Sequence, residues 1–247
     1  MITGMMARRL VPAIDPIAYA IKSKLSEYYP LTESSGSRYG LVTGHELYES
    51  TGTIGTASGL ISGELAPAFT ATNGQYLREA TVSGSPMNVP SGGGNHCIFG
   101  WFYLNSNSGT KFIVSKWSAS VASDLTYGFD IESGSFYGYN GGSAYYYTGV
   151  SASGFPAANW HFFCVWRDSA DGKVRLQINN GTVYVSASAS NPSGAIPFVI
   201  GGTLSTSFEM AGRVNHVGFT SGSILTADER TWLYNSGSGR TAAELGF

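Results

Sequence analysis

From about residue 96 onward the chain is written in short runs of β-branched and aromatic residues, each cut off by a cluster of Gly, Ser, Asn or Pro. Runs so punctuated are too short for buried helices and read as the strands of an all-β sandwich or jelly roll. The strand candidates are His96–Leu104, Lys111–Trp117, Thr126–Glu132, Phe136–Asn140, Ala144–Thr148, Trp160–Asp168, Lys173–Asn179, Thr182–Ala187, Phe198–Gly202 and Gly212–Thr220. In Lys173–Asn179, Val174, Leu176 and Ile178 alternate with Arg175 and Gln177, which predicts one buried and one wet face. Asn180-Gly181 supplies a left-handed hairpin turn into Thr182–Ala187. With Thr182 the same residues spell a glycosylation sequon, but no secretory signal accompanies it and the turn reading is preferred. The 33 glycines among 247 residues are the turn chemistry that so many short strands require.

The two ends read differently. Thr226-Ala227-Asp228-Glu229 is a capping box, followed by Trp232, Leu233 and Tyr234 and stopped by Asn235 and Gly237, which predicts a short helix packed on the sheet through its Trp and Leu. At the start, Ile14, Ile17, Ala18, Ile21 and Leu25 recur at helical spacing after Pro12 and Pro16. That stripe either packs on the domain or belongs to a docking arm that orders on a partner. Residues 1–25 carry Arg8, Arg9, Lys22 and Lys24 against Asp15, a net +3 that leaves −5 for the rest of a chain of net charge −2. The pattern predicts an arm over residues 1–25 and one domain over residues 26–247, a length that a single sandwich can fill.

Several classes drop out. A near-neutral chain with only 12% charged residues has no electrostatic reason to hold nucleic acid or an anionic membrane. Pro12, Asp15 and Pro16 break the stretch after Arg8-Arg9, and no apolar run has the length of a secretory core or a membrane span. Cys97 and Cys164 lie in apolar runs at a separation that fits no zinc motif, and read as buried free thiols.

Specific residue blocks carry a resemblance. Tyr28-Tyr29-Pro30-Leu31-Thr32-Glu33-Ser34-Ser35-Gly36-Ser37-Arg38-Tyr39, then Gly63-Glu64-Leu65-Ala66-Pro67-Ala68-Phe69 and Gln75-Tyr76-Leu77, resemble the opening of laminin-G-like domains of the concanavalin A-like lectin/glucanase superfamily. Trp160-His161-Phe162-Phe163, Asp171-Gly172-Lys173-Val174, Phe198-Val199-Ile200-Gly201-Gly202, Met210-Ala211-Gly212-Arg213-Val214 and Leu225-Thr226-Ala227-Asp228-Glu229 with Leu233-Tyr234-Asn235-Ser236-Gly237 look like the family's closing strands and terminal helix, in order. The resemblance implies a two-sheet antiparallel jelly-roll sandwich with a short C-terminal helix and an N-terminal arm, and loops that in many members bind glycans, sometimes with calcium. The ending Leu-Tyr-Asn-x-Gly-x-Gly-Arg is similar to domains of bacterial-virus structural proteins and bacterial surface proteins. Two departures put calcium in doubt: many relatives carry Asp at the position of Gly40, and an Asp-Glu pair where Asn215-His216 stands here. Asp124 or Asp130 with backbone carbonyls remain candidate ligands. No other cofactor is expected.

Catalytic constellations are sparse. Superfamily glucanases resemble one another in a strand bearing Glu-x-Asp-x-Glu, whose alternate residues line one cleft. Here Phe129-Asp130-Ile131-Glu132 keeps Asp-x-Glu but has Gly128 at the nucleophile position, so Asp130 and Glu132 read as a polar strand edge facing solvent. Nucleophile elbow, zinc-protease and phosphate-loop motifs are missing. His161 reads as a packed sheet residue, and His96 and Cys97 project to opposite faces. The aromatic stretch is more suggestive: a sheet period puts Tyr137 with Tyr139, and Tyr145 with Tyr147, on shared faces around a Gly-Gly turn, with Trp117 a lesser companion. Such a platform suits the C–H face of a sugar, a protein interface or plain hairpin stabilisation.

The expectation is a non-enzymatic structural, decoration or adhesion module on a virion or similar particle, capsid or tail. Its partners would be structural proteins of the assembly through the arm, cell-surface glycans through the loop face, and other copies in a homo-oligomer. A glycan-active hydrolase with an atypical site is the alternative.

Overall fold

The computed structural model describes residues 14–90, 93–118, 124–141, 146–188, 196–205 and 208–247. The described strands are β1 (Leu25–Tyr29), β2 (Arg38–Tyr39), β3 (Glu46–Glu49), β4 (Gly55–Ser58), β5 (Leu65–Phe69), β6 (Leu77–Glu79), β7 (His96–Leu104), β8 (Lys111–Lys116), β9 (Tyr127–Glu132), β10 (Ser135–Asn140), β11 (Tyr146–Ser151), β12 (Trp160–Asp168), β13 (Lys173–Ile178), β14 (Val183–Ser188), β15 (Val199–Ile200) and β16 (Gly212–Ser221). Two helices, α1 (Pro16–Lys24) and α2 (Ala227–Tyr234), flank them. The strands form two antiparallel sheets, one ordered β14-β13-β12-β7-β16-β5-β4 with β1 also on β16, the other β11-β10-β9-β8-β15-β6-β3-β2. The protein is an all-β jelly-roll sandwich with a short C-terminal helix.

The core between the sheets is built from alternate residues: Ile98, Phe102 and Leu104 of β7 meet Phe129, Ile131 and Phe136 of the opposite sheet. The other face of the first sheet is also apolar. Cys97, Phe99, Trp101, Phe162, Cys164 and Trp166 form a second cluster beneath Ile21 of α1, Leu233 of α2 and Leu245. This double burial is why β7 and β12 read as continuous apolar runs. Cys97 and Cys164 are buried free thiols with sulfurs 3.3 Å apart. Among the described residues no helix is long and apolar enough to cross a membrane.

Helix α1 is bounded by Asp15, which caps its start by accepting from the Ile17 amide at 2.8 Å, and by Leu25, where the backbone turns extended to open β1. Ala18 and Ile21 are buried, Lys24 pairs with Glu229 of α2 at 2.7 Å, and Lys22 bonds the Gly246 carbonyl with its ammonium 4.2 Å from the centre of the Phe247 ring. Residues 16–25 are therefore packed on the body, and two of the four expected docking cations are engaged within the chain. Arg8 and Arg9 lie outside the described residues. In α2 the capping box is present in both directions, Leu233 packs on the sheet, and Trp232 turns toward α1, donating to Asp15 at 3.1 Å.

Two local readings are corrected. The hairpin turn between β13 and β14 falls one residue early: Asn179 and Asn180 take the left-handed conformation, at φ 50° and 56°, whereas Gly181 does not. Asn179 is held there because its side chain accepts from the Phe162 amide and donates to His161 Nδ1. Gln177 is not wet; it is buried against Arg230, which donates to its carbonyl oxygen at 2.7 Å.

Candidate functional site

The outer face of the second sheet carries a cavity of about 460 Å³ lined by Thr110, Phe112, Trp117, Leu125, Asp130, Glu132, Ser133, Tyr137, Tyr139 and Phe208. Strand register makes it. Phe112 of β8, Asp130 of β9, Tyr137 of β10 and Gly149 of β11 are successive cross-strand partners, so they stand in one row across four strands. Tyr139 and Gly128 form the next pair.

Each position has a local cause. A bulge between Phe112 and Val114 sends Ile113 and Val114 into the core and leaves Phe112 facing outward. Its ring lies 3.4 Å from where a side chain on Gly128 would begin, and stacks on Tyr139 with centroids 6.0 Å apart. Trp117 and Phe208 lie nearly parallel at 6.1 Å to close one wall, and Phe112 meets Trp117 at 5.3 Å. The Tyr137 ring lies over Gly149, where an added Cβ would come within 2.4 Å of it.

Asp130 lies at the base. The residue is 1% exposed; its carboxyl accepts the Tyr139 hydroxyl at Oδ2 over 3.3 Å and leaves Oδ1 buried without a partner. Burial first, then the Glu132 charge, raises its pKa well above the ordinary carboxylate range, against a smaller lowering by Tyr139. This corrects the expectation of two solvent-facing carboxylates: Glu132 is exposed, whereas Asp130 is buried, with Phe112 opposite it on β8 and the Tyr139 hydroxyl on its carboxyl. Gly128, at the nucleophile position of the glucanase pattern, faces an aromatic ring.

Of the aromatic residues expected from sequence, Tyr137, Tyr139 and Trp117 meet in this cavity. Tyr145 lies outside the described residues, and Tyr147 is placed by its backbone opposite Tyr139. Phe112 and Phe208 were not legible as site residues: one is turned outward by the bulge, the other comes from a segment without strand periodicity. His161 is a packing residue, its Nε2 donating to the Pro156 carbonyl at 2.9 Å. His96 and Cys97 do face opposite clusters.

At Gly40 and Asn215, two of the positions where the resemblance implies calcium ligands, the groups present do not fit a cation. The Asn215 amide nitrogen aims at three carbonyl oxygens, of Pro30, Leu31 and Leu65, at 3.1, 3.2 and 3.1 Å, while its oxygen accepts from the Leu60 amide. A hydrogen-bond donor thus stands where a cation would need an oxygen ligand. A side chain at Gly40 would begin 2.1 Å from the Glu27 carboxyl carbon, and that carboxylate is already taken by the amides of Tyr28, Val42 and Thr43. Asp124 accepts from Ser118. Among the described residues no three His, Cys, Asp or Glu side chains converge as a metal cluster.

No protein-family model matches the chain, and no curated protein matches it in sequence. Its likeness is one of shape. Domain 4 of AbnA, a GH43 extracellular arabinanase from Geobacillus stearothermophilus solved in complex with arabinotriose, is similar with a TM-score of 0.61 and 14% identity over 88% of this chain and 98% of that one. The binding domain of Paraclostridial Mosquitocidal Protein 1 is similar with a TM-score of 0.65 and 12% identity, and the Trypanosoma rangeli sialidase solved with the inhibitor DANA with 0.62 and 9%. Each aligns with 87% of this chain, which spans 53% of the former and 33% of the latter. At these identities the likeness establishes the jelly-roll fold.

Proposed function

We propose that the protein is a non-enzymatic glycan-binding module whose ligand site is the cavity over Asp130. The observation that carries the reading is the row Phe112–Asp130–Tyr137, which sets a buried, half-partnered carboxyl between aromatic walls. Tyr and Trp rings accept the C–H face of a sugar, and a carboxyl oxygen with free hydrogen-bonding capacity fixes a hydroxyl or amine at its edge. The arabinotriose in the similar arabinanase domain supports a sugar ligand for a jelly roll of this size. A glycan array followed by calorimetry tests it: the protein binds a subset of glycans, and Tyr137→Ala and Trp117→Ala lose that binding while keeping their melting temperature.

The resemblance of residues 233–240 to domains of bacterial-virus structural proteins supports display on a particle surface, as decoration or adhesion protein. In this reading residues 1–13, with Arg8 and Arg9, contact the assembly, since Lys22 and Lys24 already bond within the chain. Deleting residues 1–13 should abolish incorporation into particles without unfolding the body.

The hydrolase alternative draws on Asp130 and Glu132, two residues apart on one face of β9 and both lining the cavity, the first with its pKa raised. Against it stands the aromatic ring at the place of the missing carboxylate. Release of reducing ends from a bound glycan, lost in Asp130→Asn, would favour the hydrolase; binding without release supports the module.

A further inference from the structure

We propose that this cavity selects sugars bearing a free ammonium group, with the Asp130 carboxyl as counter-ion; the inference rests on the glycan reading above. The charged side chains that line the cavity, Asp130 and Glu132, are both acidic. The nearest cations along the strand are spoken for. Lys111 of β8 bonds the Ser108 carbonyl, and Lys116 is buried against Glu79 at 2.9 Å. Neither carboxyl of the cavity is in an ion pair among the described residues.

Charge and geometry then point to one ligand chemistry. Asp130 Oδ1 is buried without a partner, and burying an unpartnered carboxyl oxygen is costly unless a ligand supplies the missing donor. A sugar hydroxyl would supply a donor without a charge. An ammonium supplies a donor and the positive charge that two acidic groups lack, and it meets the faces of Trp117, Tyr137 and Phe208, whose ring quadrupoles attract cations. Burial and the Glu132 charge hold Asp130 away from its ionised form, and an adjacent cation works against both by favouring the carboxylate. Carboxylated sugars meet repulsion from both groups.

Calorimetric titration with matched pairs tests the inference: glucosamine and galactosamine oligosaccharides in free-amine and N-acetylated form, with choline as an ammonium that is not a sugar. The free-amine form of at least one pair should bind ten-fold or more tightly than its acetylated partner. That preference should vanish in Asp130→Asn and weaken in Glu132→Gln, an exposed position whose change leaves folding intact. Equal or tighter binding of the acetylated forms, unaffected by either variant, would overturn the ammonium inference and leave the glycan reading standing. Choline bound with no saccharide bound would instead overturn the glycan reading, and binding of none of the probes would overturn both.

Discussion

The Tyr139 hydroxyl donates to Asp130 Oδ2 at 3.3 Å and shields it, while Oδ1 of the same carboxyl stays buried and unpaired at the base of the cavity. A group held in this way costs stability unless a donor completes it.

Asp130→Asn should therefore make the free protein more stable at neutral pH. Because the folded-state pKa of Asp130 is raised, the folded state holds its proton more tightly than the unfolded chain, and this group's contribution to stability is lost as pH rises past the ordinary carboxylate range. Thermal melts at pH 7 should place Asp130→Asn above wild type, at ~2–4 °C for each kcal/mol released. A lower melting temperature would contradict the assignment of Asp130 as an uncompensated buried acid.

His96 predicts a dependence of opposite sign. Burial between Tyr127 and Phe219 lowers its pKa from 6.5 to about 4. Below pH 6.5 the unfolded chain takes up a proton that the folded state refuses, so stability falls as pH drops from 6.5 toward 4, by up to about 3 kcal/mol. Denaturant titrations across that window should show the slope in wild type and a shallower one in His96→Gln.

Gly149→Ala separates the site from the fold. The new methyl would meet the Tyr137 ring, a half-exposed side chain that can swing aside, so the expected stability loss is about 1 kcal/mol or less while ligand affinity falls ten-fold or more. Melting temperature and calorimetric Kd measured on one preparation check both halves.

Asn215→Asp tests why a cation does not fit. It replaces the donor to three carbonyl oxygens by a carboxylate facing them, which should destabilise by ~2–4 kcal/mol in chelator. The variant, unlike wild type, should regain stability with millimolar calcium, because carboxylate and carbonyl oxygens together make a hard-cation set. Melts with and without calcium decide it.

How much of this was legible in the sequence follows from physics. The ends of β7 and β12 are as the apolar runs dictate, because both faces of those strands are covered. The strands from β1 to β6 were hidden: β1 opens on a leucine in helical register with α1, β5 contains Pro67, and β2 has two residues. Tyr137 and Tyr139 were legible as a pair because a two-residue period fixes their face. Asp130 shares the outward face that the period assigns, but its burial comes from rings on neighbouring strands. Phe112 and Phe208 were beyond reach, since a bulge and a loop obey no period.

The structure of the protein with the tightest glycan from an array is the most direct test of the central claim. The account predicts a sugar ring packed against Tyr137 and Trp117, with a donor within hydrogen-bonding distance of Asp130 Oδ1. A glycan bound on any other face, with the Asp130 cavity empty, would contradict it.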